Sequence, residues 1–205
     1  MNKKRIILGS ASPRRRELLA QIGVEFEVLV SNKEETYTST EPREIVKELA
    51  QMKAENVASE AEETSGQKLS DTIVIGADTI VVRDHQILGK PKDEDDAFAM
   101  IQSLQGRTHE VYTGVALLSY DAEGNCKIIS HAVETKVRVH EMSEQEIRAY
   151  IATGDPMDKA GSYGIQGYFA AYVDGIDGDY YNVVGLPVSY LYQQLKELCY
   201  CLQKN

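Results

Sequence analysis

No apolar run in this 205-residue chain approaches the roughly 20 residues needed to span a bilayer, so a membrane-spanning helix is not expected. The opening MNKKRIILGSASP sets basic residues before only four apolar-stretch residues, too few for a secretory signal. Cysteine is scarce as well. Cys126, Cys199 and Cys201 form neither a CxxC pair nor an even framework, so reduced thiols in a reducing compartment are expected, with Cys199 and Cys201 flanking the seam of the C-terminal helix. Together these absences lead to the expectation of a cytoplasmic protein. Basic residues are also in deficit: 22 against 32 acidic ones leave a formal net charge of -10, which opposes sequence-independent binding to nucleic acid. A small anionic ligand stays open wherever basic residues gather locally.

Several familiar chemistries lack their signatures. His85, His109, His131 and His140 show no HxxxH or similar spacing, so a His-ligated zinc is not expected. GxSxG, GxxxxGK[ST] and GxGxxG are all missing, which removes support for a hydrolase elbow, a P-loop or a dinucleotide-binding turn.

What is present is ordinary globular composition, 42% hydrophobic and 26% charged, and one domain over residues 1–205 is expected. RIILGS reads as a short buried strand. Ser12 then stands as an N-cap, Pro13 at the first helical position, Leu18, Leu19 and Ile22 on the buried face, and Gly23 at the end. Glu25 to Val30 reads as a strand, SNKEETYTST as a polar loop, and Glu44 to Ala58 as a helix with Ile45, Leu49 and Val57 on one stripe. SEAEETSGQKLS reads as a solvated linker. Thr72 to Val82 is an almost wholly apolar strand, of the kind covered on both faces.

Asp93 to Leu104 has helical periodicity, with Ala97, Met100, Ile101 and Leu104 inward and Gly106 as its stop. EVYTGVALLSYD and CKIISHAVETKVRV read as a hairpin around AEGN, and Ser143 with Glu146 as a capping box on a helix ending at Gly154. Seven of the fifteen glycines fall between Gly154 and Gly185, where YFAAYV and DYYNVV read as short strands. Pro187 opens a last helix with Leu191, Leu195, Leu198 and Leu202 on its apolar face. The mixed order implies an α/β or α+β sheet with helices packed on it.

Several stretches carry chemistry. GSASPRRRELL, Gly9 to Leu19, puts Arg14, Arg15 and Arg16 at the positive end of a helix dipole, the wrong end for cations. A bound anion reverses that sign: first-turn N–H groups, the hydroxyls of Ser10 and Ser12, and at most two of the guanidiniums then form a phosphate site. The alternative is a solvated basic patch. Lys53 lies on the apolar stripe of its helix between Leu49 and Val57, where it either snorkels to solvent or reaches into a cleft. Asp78 interrupts an apolar strand, and a buried carboxylate needs a metal, a cation or hydrogen bonds, whether for function or as a structural ion pair. Glu34 and Glu35 are candidate oxygen ligands for Mg²⁺ or Mn²⁺, Lys90 and Lys159 stand beside turns where they can face an anion, and Gly161, Gly164 and Gly167 let backbone approach a ligand. Gln166, between the last two glycines, carries an amide able to read a base or ribose edge.

GSASPRRRELL, LAQMKA around Lys53, IGADTIV with ILGKPKD, and GDPMDKAGSYGIQG followed by GDYYNVVGLP occur in that order. This set resembles the Maf family of nucleoside triphosphate pyrophosphatases, also called septum-formation inhibitors, over nearly the whole chain. The resemblance implies the α/β fold shared with inosine triphosphate pyrophosphatases, a mixed twisted sheet with flanking helices and two lobes around a central cleft. It implies hydrolysis of nucleoside triphosphates to the monophosphate and pyrophosphate with a divalent metal, Mg²⁺ or Mn²⁺. Asp78 is then the general base or a metal ligand, and Arg14, Glu35, Lys53 and Lys90 line the phosphate and metal end. The GIQG form with Arg14, Thr79 and Gln166 looks like the subgroup preferring dTTP and UTP, including modified uridine nucleotides, in a house-cleaning role. A homodimer follows by family analogy alone. The rival reading is a nucleotide-binding regulator of septum formation that senses without turnover.

Overall fold

The computed structural model describes residues 4–198, so Cys199, Cys201 and Leu202, placed above on the last helix, lie outside the described residues. These residues fall into two compact units: 4–78, 113–132 and 185–198 make the first, 79–112 and 133–184 the second. A mixed sheet of seven strands with helices is observed, the α/β class that the element order implies.

In the first unit, β1 (Arg5–Gly9) pairs in parallel with β2 (Glu27–Val28) on one side and with the start of β3 (Thr72–Arg83) on the other, Gly9 opposite Gly76. Ile73, Val74 and Ile75 of β3 are fully buried, as an apolar run without alternation requires. α1 (Pro13–Gln21) buries Leu18 and Leu19, while Ile22 is half-buried just past its end and Gly23 follows with a positive φ of 73°. α6 (Val188–Glu197) follows Pro187 and buries Leu191 and Leu195, with Leu198 buried just beyond.

Two differences from the sequence reading matter here. The strand expected over Glu25 to Val30 shrinks to two residues, because Glu25, Glu27, Val28 and Val30 are all exposed and give no buried face to hold it. The linker expected after Ala58 is largely helix: α2 runs Pro42–Ser65. Its second half is rich in alanine and glutamate, strong helix formers, and Ala61 is buried. Gly66 stops it in the left-handed region, donating its N–H to the Glu62 carbonyl.

In the second unit, the far end of β3 pairs antiparallel with a short β4 (Gln86–Leu88), and α3 (Glu94–Leu104) starts on an Asp93 cap. β5 (Thr108–Tyr120) and β6 (Cys126–Val139) contribute residues to both units and are joined by the Asp121–Asn125 turn, which Asp121 holds through three bonds to Glu123 and Asn125. The capping box of α4 (Glu144–Ile151) is present as read, Ser143 and Glu146 each bonding the other's backbone N–H. The strands expected at YFAAYV and DYYNVV are a 3₁₀ turn over Tyr168–Tyr172 and a short helix α5 (Tyr180–Val184). The strand lies between them, β7 (Val173–Asp177), antiparallel to β6. Asp179 accepts the Tyr181 N–H at 2.8 Å, a local cap that turns the following residues into helix rather than strand.

Candidate active site

Alternation along β3 sends Val74, Gly76 and Asp78 to one face. Against that face lies the alanine side of α2: Ala50, Ala54, Val57 and Ala58 pack with Ile7, Val74, Ala116 and Leu118. Gly76 permits this closeness, since a Cβ there would strike the Ala50 carbonyl and the Ala54 amide. Gly114 of β5 does the same against the Val46 carbonyl. The helix backbone therefore rests directly on the sheet, and Lys53, next to Ala54, reaches Asp78.

Lys53 Nζ donates to Asp78 Oδ1 at 2.6 Å and stands 3.1 Å from Glu35 Oε2. Of the two readings of Lys53, the inward one holds: its side chain is only 20% exposed, and that of Asp78 16%. The cation that Asp78 requires is thus Lys53 itself. Of the loop pair Glu34 and Glu35, it is Glu35 that makes this contact.

At the start of α1 the three arginines part, as a turn of about 100° per residue demands. Arg15 turns back: its Nε donates to the Gly185 carbonyl at 2.8 Å and its Nη1 to Ser10 Oγ at 3.2 Å. Arg14 is half-buried and Arg16 exposed. Ser12 occupies the N-cap position, yet its hydroxyl makes no capping bond, and no acidic residue sits in the first turn. Burial pulls the Arg15 guanidinium below its ordinary pKa, the Asp78 carboxylate pulls it back up, Arg14 lowers it and Glu35 raises it. Arginine stays charged through such shifts. Ser10, Arg14, Arg15, Glu35, Lys53 and Asp78 therefore form one electrostatic cluster in the first unit.

The remaining sequence candidates belong to the second unit. Thr79 follows Asp78 in β3 and is half-buried, Lys90 is exposed after β4, and Gln166 is exposed on a bend before Gly167, whose φ is 97°. Lys159 is turned onto its own loop, within 2.6 Å of the Asp155 carbonyl and 2.7 Å of Asp158 Oδ1. Sequence reading missed what braces this loop. Tyr150 of α4 donates to Asp155 Oδ2 at 2.6 Å and accepts the Gly164 N–H at 3.1 Å, and the Gly161 N–H reaches the Gly89 carbonyl beside Lys90. His109 and Tyr163, also missed, are buried together at 2.7 Å. A lone histidine in a strand pattern carries no signal for such a partner.

Sequence comparison decides the family. The pattern described as Maf-like protein matches residues 5–198. The chain belongs to the Maf family. Relatives of this Maf-like protein include a dTTP/UTP pyrophosphatase of Agathobacter rectalis, 52% identical over 94% of this chain and 97% of its own. Others bearing the same name come from Lachnoclostridium phytofermentans, 49% identical over 94% of each chain, and Bacillus cereus, 50% identical over 96% of this chain and 91% of its own. Among solved structures, the Staphylococcus aureus Ham1 protein is similar over 95% of this chain and 99% of its own at a TM-score of 0.46 and 12% identity, too distant to bear on chemistry.

In this Maf-like protein no helix of the described residues is long and apolar enough to cross a membrane. Among the same residues no group of three or more His, Cys, Asp or Glu is placed to hold a metal. The pair Glu35 and Asp78 nevertheless fits a hard divalent cation: both reach the one Lys53 nitrogen, and Mg²⁺ is commonly held by one or two carboxylates, with water and substrate phosphates completing the shell.

Proposed function

We propose that this Maf-like protein hydrolyses dTTP and UTP, along with modified uridine and modified pyrimidine nucleotides, to the monophosphate and pyrophosphate. The observation that carries the reading is the Lys53 ammonium shared by Asp78 and Glu35 beside Arg15, a mixed-charge cluster suited to a polyanion, its counter-ion and an attacking water. The names borne by relatives at about half identity support dTTP and UTP as substrates.

Water attacks the α-phosphorus, the bond to the oxygen bridging toward the β-phosphate breaks, and pyrophosphate leaves with the developing charge. Asp78 orients that water and receives its proton. Lys53 and Arg14 offset charge on the phosphate oxygens, while Arg15, bonded to Gly185 and Ser10, contributes a fixed positive field without moving. Glu35 and Asp78 would hold Mg²⁺ or Mn²⁺, which when bound supplies concentrated positive charge to the triphosphate. By family resemblance Lys90 serves the phosphates, and Thr79 and Gln166 with Arg14 set the base preference. Under this reading the activity is a cytoplasmic house-cleaning one.

The test is a panel of dTTP, UTP, dATP and GTP with Mg²⁺, in which pyrophosphate and orthophosphate are measured separately. Pyrophosphate is expected, fastest from dTTP or UTP. Orthophosphate as first product, or no turnover, overturns the reading.

A further inference from the structure

Glu35 sits on a stretch, residues 29–40, that has neither helix nor strand, and it is 41% exposed. Such a segment buries little apolar surface and has low local stability by itself. Its contacts to α2 follow an order. Thr38 N–H donates to Glu48 Oε2 at 2.8 Å, and Ser39 N–H reaches the same oxygen at 3.4 Å. Thr36 N–H meets Met52 Sδ at 3.4 Å, Glu35 meets Lys53 at 3.1 Å, and Lys33 Nζ lies 3.5 Å from Ser59 Oγ.

As the loop number falls from 38 to 33, the helix partner climbs from 48 to 59. Eleven helical residues rise about 16 Å. Five extended residues cover about the same length. Residues 33–39 are thus a strap laid antiparallel along α2, with Glu35 as its third residue. Among the bonds described, its shortest, and its one carboxylate anchor to backbone amides, is at Glu48.

We propose that Glu48 is a positioning residue: by clamping the Thr38 and Ser39 amides it holds Glu35 at the Lys53–Asp78 pair. The proposal rests on the reading of Glu35 as a divalent-cation ligand. A carboxylate accepting two backbone N–H groups is a charge-assisted anchor. Removing it lets the strap sample positions in which Glu35 no longer meets the site, although Glu48 itself touches neither Lys53 nor Asp78 among the bonds described.

The experiment is Mn²⁺ titration followed by electron paramagnetic resonance on the full chain, with a non-hydrolysable dUTP analogue. Wild type is compared with Glu48→Ala, Glu48→Gln, Glu35→Gln and the double variant Glu35→Gln/Glu48→Ala. Glu48→Ala is expected to weaken Mn²⁺ binding about tenfold, the lower end of what groups supporting a metal ligand cost. Glu48→Gln, which keeps one carbonyl acceptor, recovers most of it, and in the Glu35→Gln background Glu48→Ala adds nothing. Wild-type affinity in Glu48→Ala, or an undiminished tenfold loss in the Glu35→Gln background, overturns the clamp while leaving the metal reading standing. Wild-type affinity in Glu35→Gln alone overturns the metal reading and the clamp together.

Discussion

Lys53 and Asp78, 25 residues apart in the chain, are joined by a 2.6 Å bond from Nζ to Oδ1. The bond spans a helix and a strand that approach this closely because a glycine, two residues before Asp78, has no side chain to keep them apart.

Replacing Asp78 by Asn keeps the shape and removes the proton acceptor. Pyrophosphate release from dTTP is expected to fall at least about 100-fold, on the order of what a positioned base contributes. A steady-state assay with a melting curve of the same preparation checks it. Activity within tenfold of wild type would show that Asp78 is not the base.

Gly76→Ala puts a methyl into the Ala50 carbonyl and Ala54 amide of α2. Backbone on backbone cannot yield as a flexible side chain can, so the helix must shift. A loss of about 2 kcal/mol or more in urea unfolding is expected, together with a fall in turnover, because Lys53 moves with the helix. An unchanged urea midpoint would refute the close-docking account.

Arg15→Ala and Arg14→Ala are checked by different measurements. Arg15 holds the Gly185 carbonyl and Ser10, and its loss is expected to cost about 1–3 kcal/mol of stability. Arg14→Ala should weaken a non-hydrolysable dUTP analogue about tenfold by calorimetry. Equal analogue affinity in Arg14→Ala and wild type would remove Arg14 from the phosphate site.

His109 is fully buried against Tyr163, and burial pushes its pKa from 6.5 down to about 4. The unfolded chain therefore binds a proton near pH 6.5 that the folded chain refuses until about pH 4. Stability is complete above pH 6.5 and drains away as pH falls toward 4, by about 3 kcal/mol in total. Urea midpoints at pH 7 and pH 4.5 should lie closer together in His109→Phe than in wild type. An identical spacing would mean other groups carry the acid sensitivity.

Much of the fold was legible because periodicity reports which face of an element is buried. The run from Ile73 to Val82 announced a covered strand, and Ser143 with Glu146 announced the start of α4, since both signals act within a few residues. Legibility failed at YFAAYV and DYYNVV, where aromatic and β-branched residues favour strand but local caps and turns set the backbone instead. It failed also at Ser59 to Ser65, whose polar composition read as linker although α2 continues through it.

The candidate site divides the same way. An aspartate in an apolar strand, a lysine on an apolar helical stripe and arginines at a helix start are local anomalies, each visible in sequence because burial and the helix dipole set their cost. Which anomaly answers which was decided only by tertiary packing. Lys53 meets Asp78 because glycine and alanine surfaces let α2 lie on β3, and Glu35 joins them because a strap without secondary structure is anchored at Glu48. Local pattern records the energetic need of each residue, whereas the partner that meets it depends on where distant segments come to rest.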